Sequence, residues 1–355
     1  MTAPAAPAPL AKRDHQRNAV AIYGFPVAHS VWSGLMMHIL PRIGLTQHSA
    51  RPVELRSLVE ENNGWDQDEK LPSYIGACIT MPLKLQALRK VDSLDEAGEA
   101  CGCINTTYLR PSSTQSPSKS ASLASASLTQ IGTNTDASAL TNVLLSMLLS
   151  LPSPFSPSHP RAFPPAKAAA LAIGGGGAVR AAIHSFSSSF HCEPIFLLNR
   201  DEGETQAVVE HFRARGVEVT PLGNVEQAER EIEALEKRGG RVVLGIGAIP
   251  CEEPKTEGEK RVYEVARTLF DREHAVPLEE AEEGFLKLPE QRVFIDMAYK
   301  PHWTILRKQA EEKGWQTRCG TEVVLENTFE QIKLWTGIDV PQDVRASARK
   351  LLEEK

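Results

Sequence analysis

A run of glycines near the middle of the chain is the feature whose chemistry is easiest to read. The apolar segment 168–173 leads into it, and a helical pattern that includes Val179 and Arg180 follows. Glycines let the backbone turn tightly beside a phosphate, and the N-terminus of the following helix offers free N–H groups. We therefore predict a dinucleotide-binding turn formed by Gly174, Gly175, Gly176, Gly177 and Ala178. Val179 stands where the strict fingerprint has its third glycine, so a purely structural turn is the alternative.

The end of the next apolar segment is expected to face the adenosine ribose of such a nucleotide. The segment closes with Asn199, Arg200 and Asp201, about one strand-and-helix unit after the glycines. An arginine there can bind the 2′-phosphate of NADP, whereas an aspartate repels it and bonds the free 2′-hydroxyl of NAD. Glu202 and Glu204 add negative charge. The sequence leaves NADP or NAD open, with the acidic residues favouring NAD.

Apolar segments alternate with helical patterns and would position these residues. Strands are predicted at 19–27, 75–80, 168–173, 194–200, 241–247 and 292–299. Helices are predicted at 35–40, 83–101, 139–151, 204–214, 226–237 and 322–335. Strands that alternate with helices indicate an α/β fold with a parallel sheet and helices on both faces.

Four stretches depart from this pattern. Residues 1–17 are rich in Ala and Pro and predict a disordered tail, and the Ser-rich segment 111–128 predicts a disordered insert. The proline-dense segment 151–166 predicts a stiff linker. The acidic span 251–291 predicts a solvated surface insertion.

Composition narrows the class of protein. A formal net charge of −6 disfavours nucleic acid as the main partner, and no apolar run approaches the roughly 20 residues needed to cross a bilayer. The six cysteines lack zinc-type spacing and indicate reduced thiols. We expect a cytoplasmic protein that acts on a small molecule without a metal. The oligomeric state is left open.

Eight short motifs occur in an order that resembles the shikimate and quinate dehydrogenase family. They are GFPVAHS (24–30), ITMPLK (79–84), GCINT (102–106), GTNTD (132–136), IGGGGAVR (173–180), LLNRD (197–201), DMAYKP (296–301) and GTEVVLENTFEQIKLWTG (320–337). The resemblance implies an α/β substrate-binding domain at 18–137, and a connecting helix with linker at 138–166. It further implies a Rossmann-like, doubly wound dinucleotide-binding domain at 167–320, with C-terminal helices at 321–355 that return to the first domain.

The resemblance also assigns roles to single residues. It implies that Lys84 and Asp136 form the catalytic pair that moves the hydroxyl proton while a nicotinamide cofactor moves the hydride. A lysine that is partly desolvated beside a carboxylate suits this task, because burial lowers its pKa and the carboxylate orients it. Further family positions fall on the substrate contacts Ser30, Thr80, Asn105 and Tyr299, and on Gly320 in the cofactor site.

Several family positions are changed here. Trp32 stands where a second carboxylate-binding serine is usual, and Ser33 could replace that serine only after a one-residue shift. Cys78 replaces an asparagine, and Asn327 is one methylene shorter than the usual glutamine. Each lost bond to a buried or charged group costs on the order of 1–3 kcal/mol, so a changed substrate is a hypothesis.

Two functions follow from these observations. The first is an NAD(P)-dependent dehydrogenase acting on shikimate, quinate or a related cyclic hydroxy acid. The alternative is a non-catalytic metabolite sensor or transcriptional regulator with a degenerate form of the same fold. The changed carboxylate-binding motif favours the alternative, whereas retention of both Lys84 and Asp136 favours the enzyme.

Overall fold

The computed structural model describes residues 18–28, 30–59, 63–112, 128–150, 162–272 and 285–353. The chain divides into two compact units, of which the first takes Met1–Thr135 with Val324–Lys355 and the second takes Asp136–Val323. The predicted N-terminal tail lies outside the described residues, as do nearly all of the Ser-rich insert and most of the proline-dense segment.

Twelve strands occur in the described residues. They are β1 (Ala19–Gly24), β2 (Ser49–Glu54), β3 (Tyr74–Ile79), β4 (Ser93–Leu94), β5 (Thr106–Pro111), β6 (Leu128–Thr133), β7 (Ala168–Ile173), β8 (Ile195–Leu198), β9 (Val219–Pro221), β10 (Arg241–Gly247), β11 (Val293–Asp296) and β12 (Gln316–Cys319).

Eleven α-helices occur in the same residues, together with a short 3-10 helix at Gln86–Arg89. They are α1 (Val31–Arg42), α2 (Gly64–Asp68), α3 (Glu96–Cys101), α4 (Thr135–Leu149), α5 (Gly177–Ser188), α6 (Glu202–Arg213), α7 (Val225–Lys237), α8 (Glu257–Asp271), α9 (Ile305–Glu312), α10 (Gly320–Thr336) and α11 (Gln342–Glu353). None of the helices in the described ranges is long and apolar enough to cross a membrane.

The first unit is built on a mixed six-stranded sheet in the order β2-β1-β3-β5-β6-β4. β1 pairs in parallel with β2 and β3, whereas β5 runs antiparallel to β3 and β6. Apolar side chains cover both faces. Tyr23 and Trp65 belong to one cluster, and Trp32 belongs to the other with Trp335 of α10. The C-terminal helices therefore complete the core of the first unit.

The second unit contains a parallel six-stranded sheet in the order β12-β11-β10-β7-β8-β9. Counted from β7, this is the 3-2-1-4-5-6 arrangement of dinucleotide-binding folds. β7, β8 and β10 are buried throughout, as expected for strands covered by helices on both faces. The predicted α/β class, with a Rossmann-like part and helices that return to the first part, is confirmed.

The interpretation of 251–291 as a surface insertion is wrong for its described part. Residues 257–271 form α8, which buries six side chains, among them Val262, Leu269 and Phe270. These side chains join the main apolar cluster of the second unit. Full burial of a large apolar side chain contributes roughly 1.5–3 kcal/mol, so α8 is an integral part of the core.

The single helix predicted at 83–101 is also wrong. The chain instead forms the 3-10 helix, then β4, then α3. Ser93 and Leu94 pair with Ile131 and Gly132 of β6, and Asp95 caps α3 by accepting a hydrogen bond from the Gly98 amide at 3.0 Å. The cap and the strand pairing override the helical spacing of the apolar residues.

Candidate active site

Asn105 lies at the centre of a buried polar network in the first unit. Its backbone N–H donates to the Thr133 carbonyl at 3.0 Å, and its backbone carbonyl accepts from the Ile79 amide at 2.6 Å, so the residue is fixed between neighbouring strands. Its side-chain oxygen accepts from the Thr135 amide at 2.8 Å and from the Thr106 hydroxyl at 2.9 Å. These donors fix which end of the amide is oxygen and therefore where its nitrogen lies.

The side-chain nitrogen of Asn105 is a buried donor with no hydrogen-bond partner in the described part of the chain. Leaving such a group unsatisfied costs on the order of 1–3 kcal/mol. A buried group of this kind is satisfied when a water, an ion or a bound ligand supplies the missing partner. The position suits a hydroxyl or carbonyl oxygen of a bound small molecule.

The network continues from Asn105 to helix α10 through two hydrogen-bonded links, one at Thr106 and one at Thr135. The Trp32 indole N–H donates to the Gln331 side-chain oxygen at 2.6 Å, and the Gln331 amide nitrogen donates to the Thr106 hydroxyl at 2.8 Å. The Thr135 hydroxyl donates to the Asn327 side-chain oxygen. α10 therefore fixes the hydroxyls that hold Asn105.

Lys84 and Asp136 are tied to Asn105 through the backbone. The Lys84 carbonyl accepts from the amide of Ile104, the residue before Asn105, at 3.0 Å. Asp136 directly follows Thr135, whose backbone amide donates a hydrogen bond to the Asn105 side chain. Asp136 is buried, whereas Lys84 is half-buried. Ile104, Asn105 and Thr135 thus anchor the backbone beside both members of the predicted pair.

The structure places Trp32 in the core of the first unit. The side chain is 2 % exposed and packs edge-on against Trp335 at 6.2 Å between ring centroids. Its indole ring is held there by the bond to Gln331. The bulk at position 32 therefore serves packing, and sequence reasoning missed the Trp32–Gln331 pair because its members are 299 residues apart.

The two predicted serines occupy different positions on α1. The Ser30 side chain caps this helix by accepting from the Trp32 amide at 3.3 Å. The Ser33 hydroxyl oxygen is buried and has no hydrogen-bond partner among the described residues. Glu54 holds the preceding loop, because one carboxylate oxygen accepts from the Val27 and Ala28 amides, each at 3.2 Å.

Thr80 lies where β1 and β3 end beside each other. Its amide donates to the Tyr23 carbonyl at 2.9 Å, and its carbonyl accepts from the Leu83 amide at 2.9 Å. A Cβ on Gly24 would lie 2.3 Å from the Thr80 methyl carbon, so this contact requires glycine. The turn that leads to Lys84 is therefore tightly fixed.

The glycine turn of the second unit has two parts with different requirements. Gly174 has φ +124°, and a Cβ on it would lie 2.9 Å from the Ala248 carbonyl oxygen. A Cβ on Gly175 would lie 2.4 Å from the Asn199 side-chain nitrogen. Both glycines are required by the protein's own packing.

No contact among the described residues requires a glycine at position 176. Gly176 is exposed, and a Cβ placed on it would have no neighbour within 4 Å. It is the N-cap of α5 and supplies no side-chain cap for the first amides of that helix. An open glycine at the N-cap of a helix fits the pyrophosphate of a dinucleotide, with Gly177 and Ala178 in the first turn of α5.

The turn after β8 lies beside these glycines. The Gly174 amide donates to the Leu198 carbonyl at 2.7 Å. Asn199 donates from its side chain to the Asp201 carbonyl at 3.1 Å, and Asp201 caps α6 by accepting from the Glu204 amide at 2.8 Å. The Arg200 guanidinium forms an ion pair with Glu259 of α8. Asp201 therefore has a structural role besides the predicted ribose contact.

Sequence reasoning missed Glu259, although its signal is present. Thr256 and Glu259 form a capping box, which has the Thr-x-x-Glu pattern typical of helix starts. The backbone amides of Thr256 and Lys255 donate to the Glu259 carboxylate and lower its pKa to about 2. The carboxylate opposite Arg200 is therefore ionised at neutral pH.

The last residue of β11, Asp296, is a second residue that sequence reasoning missed. Burial raises its pKa to about 7, although the Thr304 hydroxyl and the Ala298 amide donate to it and oppose the rise. Tyr299, a predicted substrate contact, lies half-buried three residues later. Gly320 at the start of α10 is required by packing, because a Cβ there would lie 2.2 Å from the Met297 carbonyl oxygen.

Comparisons with known proteins agree with this fold. No family model matches the chain. A quinate dehydrogenase of Emericella nidulans is 28% identical over 335 residues, which cover 91% of this chain and 89% of that protein.

Solved structures of shikimate dehydrogenases share the fold. The enzyme of Listeria monocytogenes, in complex with shikimate and NAD, has a TM-score of 0.65 at 18% identity and covers 96% of this chain and 97% of its own. The enzyme of Thermus thermophilus, in complex with NADP(H) and shikimate, has a TM-score of 0.59 at 22% identity, with 94% and 99% covered.

A dehydroquinate dehydratase and shikimate dehydrogenase from S. pombe has a TM-score of 0.64 at 23% identity. The match covers 94% of this chain but 53% of that longer one, so this chain spans about half of its length. Together these findings confirm the resemblance to the shikimate and quinate dehydrogenases that the eight motifs predicted.

Proposed function

We propose that this chain is an NAD(P)-dependent dehydrogenase that oxidises a secondary alcohol on a carboxylated, polyhydroxylated ring such as quinate or shikimate. The observation that carries the proposal is the buried, unpartnered side-chain nitrogen of Asn105, fixed in a network that also anchors the backbone beside Lys84 and Asp136. The similarity to a quinate dehydrogenase over 91% of the chain supports the same reaction class.

In this proposal the first unit binds the substrate and the second binds the nucleotide. A bound nicotinamide would accept the hydride from the carbinol carbon. The glycine turn at 174–177 fits the pyrophosphate, and the residues after β8 are at the ribose position. Support comes from the open space at Gly176 and from its place at the N-cap of α5.

The chain's own residues would handle the proton. Lys84 takes the hydroxyl proton of the substrate onto its side-chain nitrogen as the carbon becomes a carbonyl carbon. Asp136 orients the lysine and stabilises its charged form, because an opposite charge nearby favours ionisation. Asn105 donates from its side-chain nitrogen to a neighbouring ring hydroxyl and so sets which hydroxyl faces Lys84.

The remaining contacts would hold the rest of the ring. Ser30 and Ser33 are proposed to bind the carboxylate, while Thr80, Tyr299 and Asn327 are proposed to bind hydroxyls. Trp32 does not fill the place of the missing serine, since it is buried in the core and bonded to Gln331. The comparisons do not favour the non-catalytic sensor.

A direct assay tests the proposal. The full chain is mixed with quinate or shikimate and with NAD⁺ or NADP⁺, and the absorbance of the reduced nicotinamide is followed. Turnover is expected with at least one pair, and it should vanish when the ring lacks a free secondary hydroxyl. Tight calorimetric binding of quinate without turnover in any combination would overturn the enzyme and favour the sensor.

A cytoplasmic location is proposed as well. None of the six cysteines forms a disulfide, and five of them are buried. Burial raises the pKa of the Cys192 thiol above its usual range, which keeps it protonated and unreactive. Thiols of this kind are typical of a reducing compartment.

A further inference from the structure

In the proposed nucleotide site, Arg200 follows β8 at the position where a basic side chain would meet the 2′-phosphate of NADP. The turn that carries it packs against the glycine turn, through the Gly174–Leu198 backbone bond and the close approach of Gly175 to Asn199. A guanidinium binds phosphate through paired, charge-assisted hydrogen bonds. Taken by itself, Arg200 therefore favours NADP, whereas the acidic residues that follow it favour NAD.

The structure gives this arginine another partner. The Arg200 guanidinium pairs with the Glu259 carboxylate, and Gly258 packs on the Arg200 backbone, with a Cβ at that glycine lying 3.5 Å from the Arg200 carbonyl oxygen. Because the start of α8 lies directly on the turn after β8, the contact joins two fixed pieces of backbone.

Glu259 is held in place from its other side. One carboxylate oxygen accepts from the Lys255 amide at 2.8 Å and the Thr256 amide at 3.0 Å, while the Thr256 hydroxyl accepts from the Glu259 amide at 3.2 Å. The remaining carboxylate oxygen faces Arg200. The capping box thus fixes a negative charge where a 2′-phosphate would approach.

The other charges in this region do not offset Glu259. Lys255 pairs with Glu252 at 3.2 Å, and Lys260 pairs with Glu257 at 2.7 Å. Asp201, Glu202 and Glu204 are exposed at the start of α6. A doubly charged phosphate bound by Arg200 would have to displace Glu259 and would lie near the carboxylates at the start of α6.

We propose that Glu259 is the positioning residue that sets nucleotide choice, holding Arg200 away from a 2′-phosphate and so favouring NAD over NADP. This inference rests on the proposed function, since it concerns the nucleotide site of that dehydrogenase. Glu259 acts through Arg200 and touches no reacting atom, so its effect belongs to nucleotide affinity and not to the rate of hydride transfer.

Glu259→Gln is the informative variant, because a glutamine oxygen still accepts the two capping amides while the charge is removed. Calorimetry on the full chain would compare adenosine 2′,5′-bisphosphate with adenosine 5′-monophosphate, which differ by the 2′-phosphate. The unmodified chain should bind the monophosphate more tightly. In Glu259→Gln, affinity for the bisphosphate should rise on the order of tenfold, with monophosphate affinity unchanged.

Two further variants distinguish a change in nucleotide preference from a general structural effect of the substitution. Arg200→Ala added to Glu259→Gln should abolish the gain, because the freed guanidinium is its source. Glu257→Gln removes an exposed charge two residues earlier, from the pair with Lys260, and should leave the ratio of affinities unchanged. In steady-state assays, Glu259→Gln should lower KM for NADP⁺ and leave kcat unchanged.

The outcomes are distinguishable. If both adenosine ligands bind but Glu259→Gln leaves their ratio unchanged, or if the unmodified chain already prefers the bisphosphate, the role of Glu259 is overturned and the dehydrogenase stands. If neither adenosine ligand nor any nicotinamide nucleotide binds, the proposed function fails together with the inference.

Discussion

The polar residues around Asn105 and those around Arg200 are held in opposite ways. Asn105 is almost fully buried, is bonded to neutral groups on neighbouring strands, and is linked to α10 through hydroxyls and amides. Arg200 has a side chain that is 56% exposed, and its pairing partner Glu259 lies at the surface of the same unit. A buried neutral network fixes geometry at a high cost of disruption, whereas an exposed ion pair contributes about 0–1 kcal/mol to stability. Changes near Asn105 should therefore affect turnover and folding, and changes near Arg200 should affect only the choice of ligand.

The largest effect is expected from Lys84→Ala. Loss of the proposed proton acceptor should lower kcat by about 10²-fold or more, with nucleotide affinity unchanged. Lys90→Ala is the matched control, since Lys90 lies on the same segment and pairs with Asp66 at 2.8 Å. Steady-state kinetics on both variants provide the measurement. Equal turnover in Lys84→Ala and the control would remove Lys84 from the mechanism and leave the fold unaffected.

Asn105→Ala tests the buried side of the comparison directly. The Thr135 amide and the Thr106 hydroxyl would lose their acceptor, which should lower the free energy of unfolding by about 1–3 kcal/mol and raise the substrate KM. Urea unfolding and substrate titration measure the two effects. A variant as stable as the original chain would show that the hydrogen bonds to the Asn105 side chain do not stabilise the fold.

Gly174 and Gly176 belong to the same short turn, but we expect Gly174 to be needed for folding and Gly176 for nucleotide binding. Gly174→Ala should destabilise the second unit by about 1–3 kcal/mol, because its φ of +124° strains any other residue. Gly176 has φ −82° and open space around it, so Gly176→Ala should cost only the difference between glycine and alanine at an N-cap, up to about 1 kcal/mol. Its methyl group would instead crowd a pyrophosphate, and NAD⁺ affinity should fall by about tenfold. Full nucleotide affinity in Gly176→Ala would contradict the assignment of this turn.

Asp296 lies in the second unit like Arg200, but its side chain is buried. It therefore tests whether burial, and not the unit, decides how a polar group contributes to stability. Its pKa is raised from 3.8 to about 7, so the native state retains a proton that the unfolded state releases. The stability gained from this proton is complete below about pH 4 and is lost as the pH rises to about 7.

Relative to Asp296→Asn, the unmodified chain should therefore lose about 1.4 kcal/mol of stability per pH unit across that window. Urea unfolding of both proteins at several pH values measures the difference. Parallel stability curves would show that Asp296 is ionised in the native state.

Patterns local in sequence predicted the fold well. The glycine turn lies between a buried strand and a helix as expected, because strand, turn and helix signals all fall within about 20 residues. The GCINT motif also pointed to Asn105, whose side-chain nitrogen is buried and has no partner among the described residues. The alternation of strands and helices gave the parallel sheet of the second unit, because buried parallel strands are continuously apolar.

Contacts distant in sequence could not be predicted in this way. Charged residues in 251–291 concealed the apolar face of α8, whose Val262, Leu269 and Phe270 recur at helical spacing among glutamates and arginines. The place of Trp32 depends on Gln331, and the pairing of Arg200 depends on Glu259, which is 59 residues away. Only the packed structure brings these groups together.

The assembly of the first unit from two distant stretches of chain has a consequence for biosynthesis. Asn327 and Gln331 of α10 hold Thr135 and Thr106, which a ribosome makes about 190 and 225 residues earlier. During synthesis from the N-terminus, the second unit can emerge whole and fold while the first still lacks its last helices. The network around Asn105 would then be the last part of the first unit to form, and a nascent chain stalled before residue 327 would carry a folded second unit and an unfinished first unit.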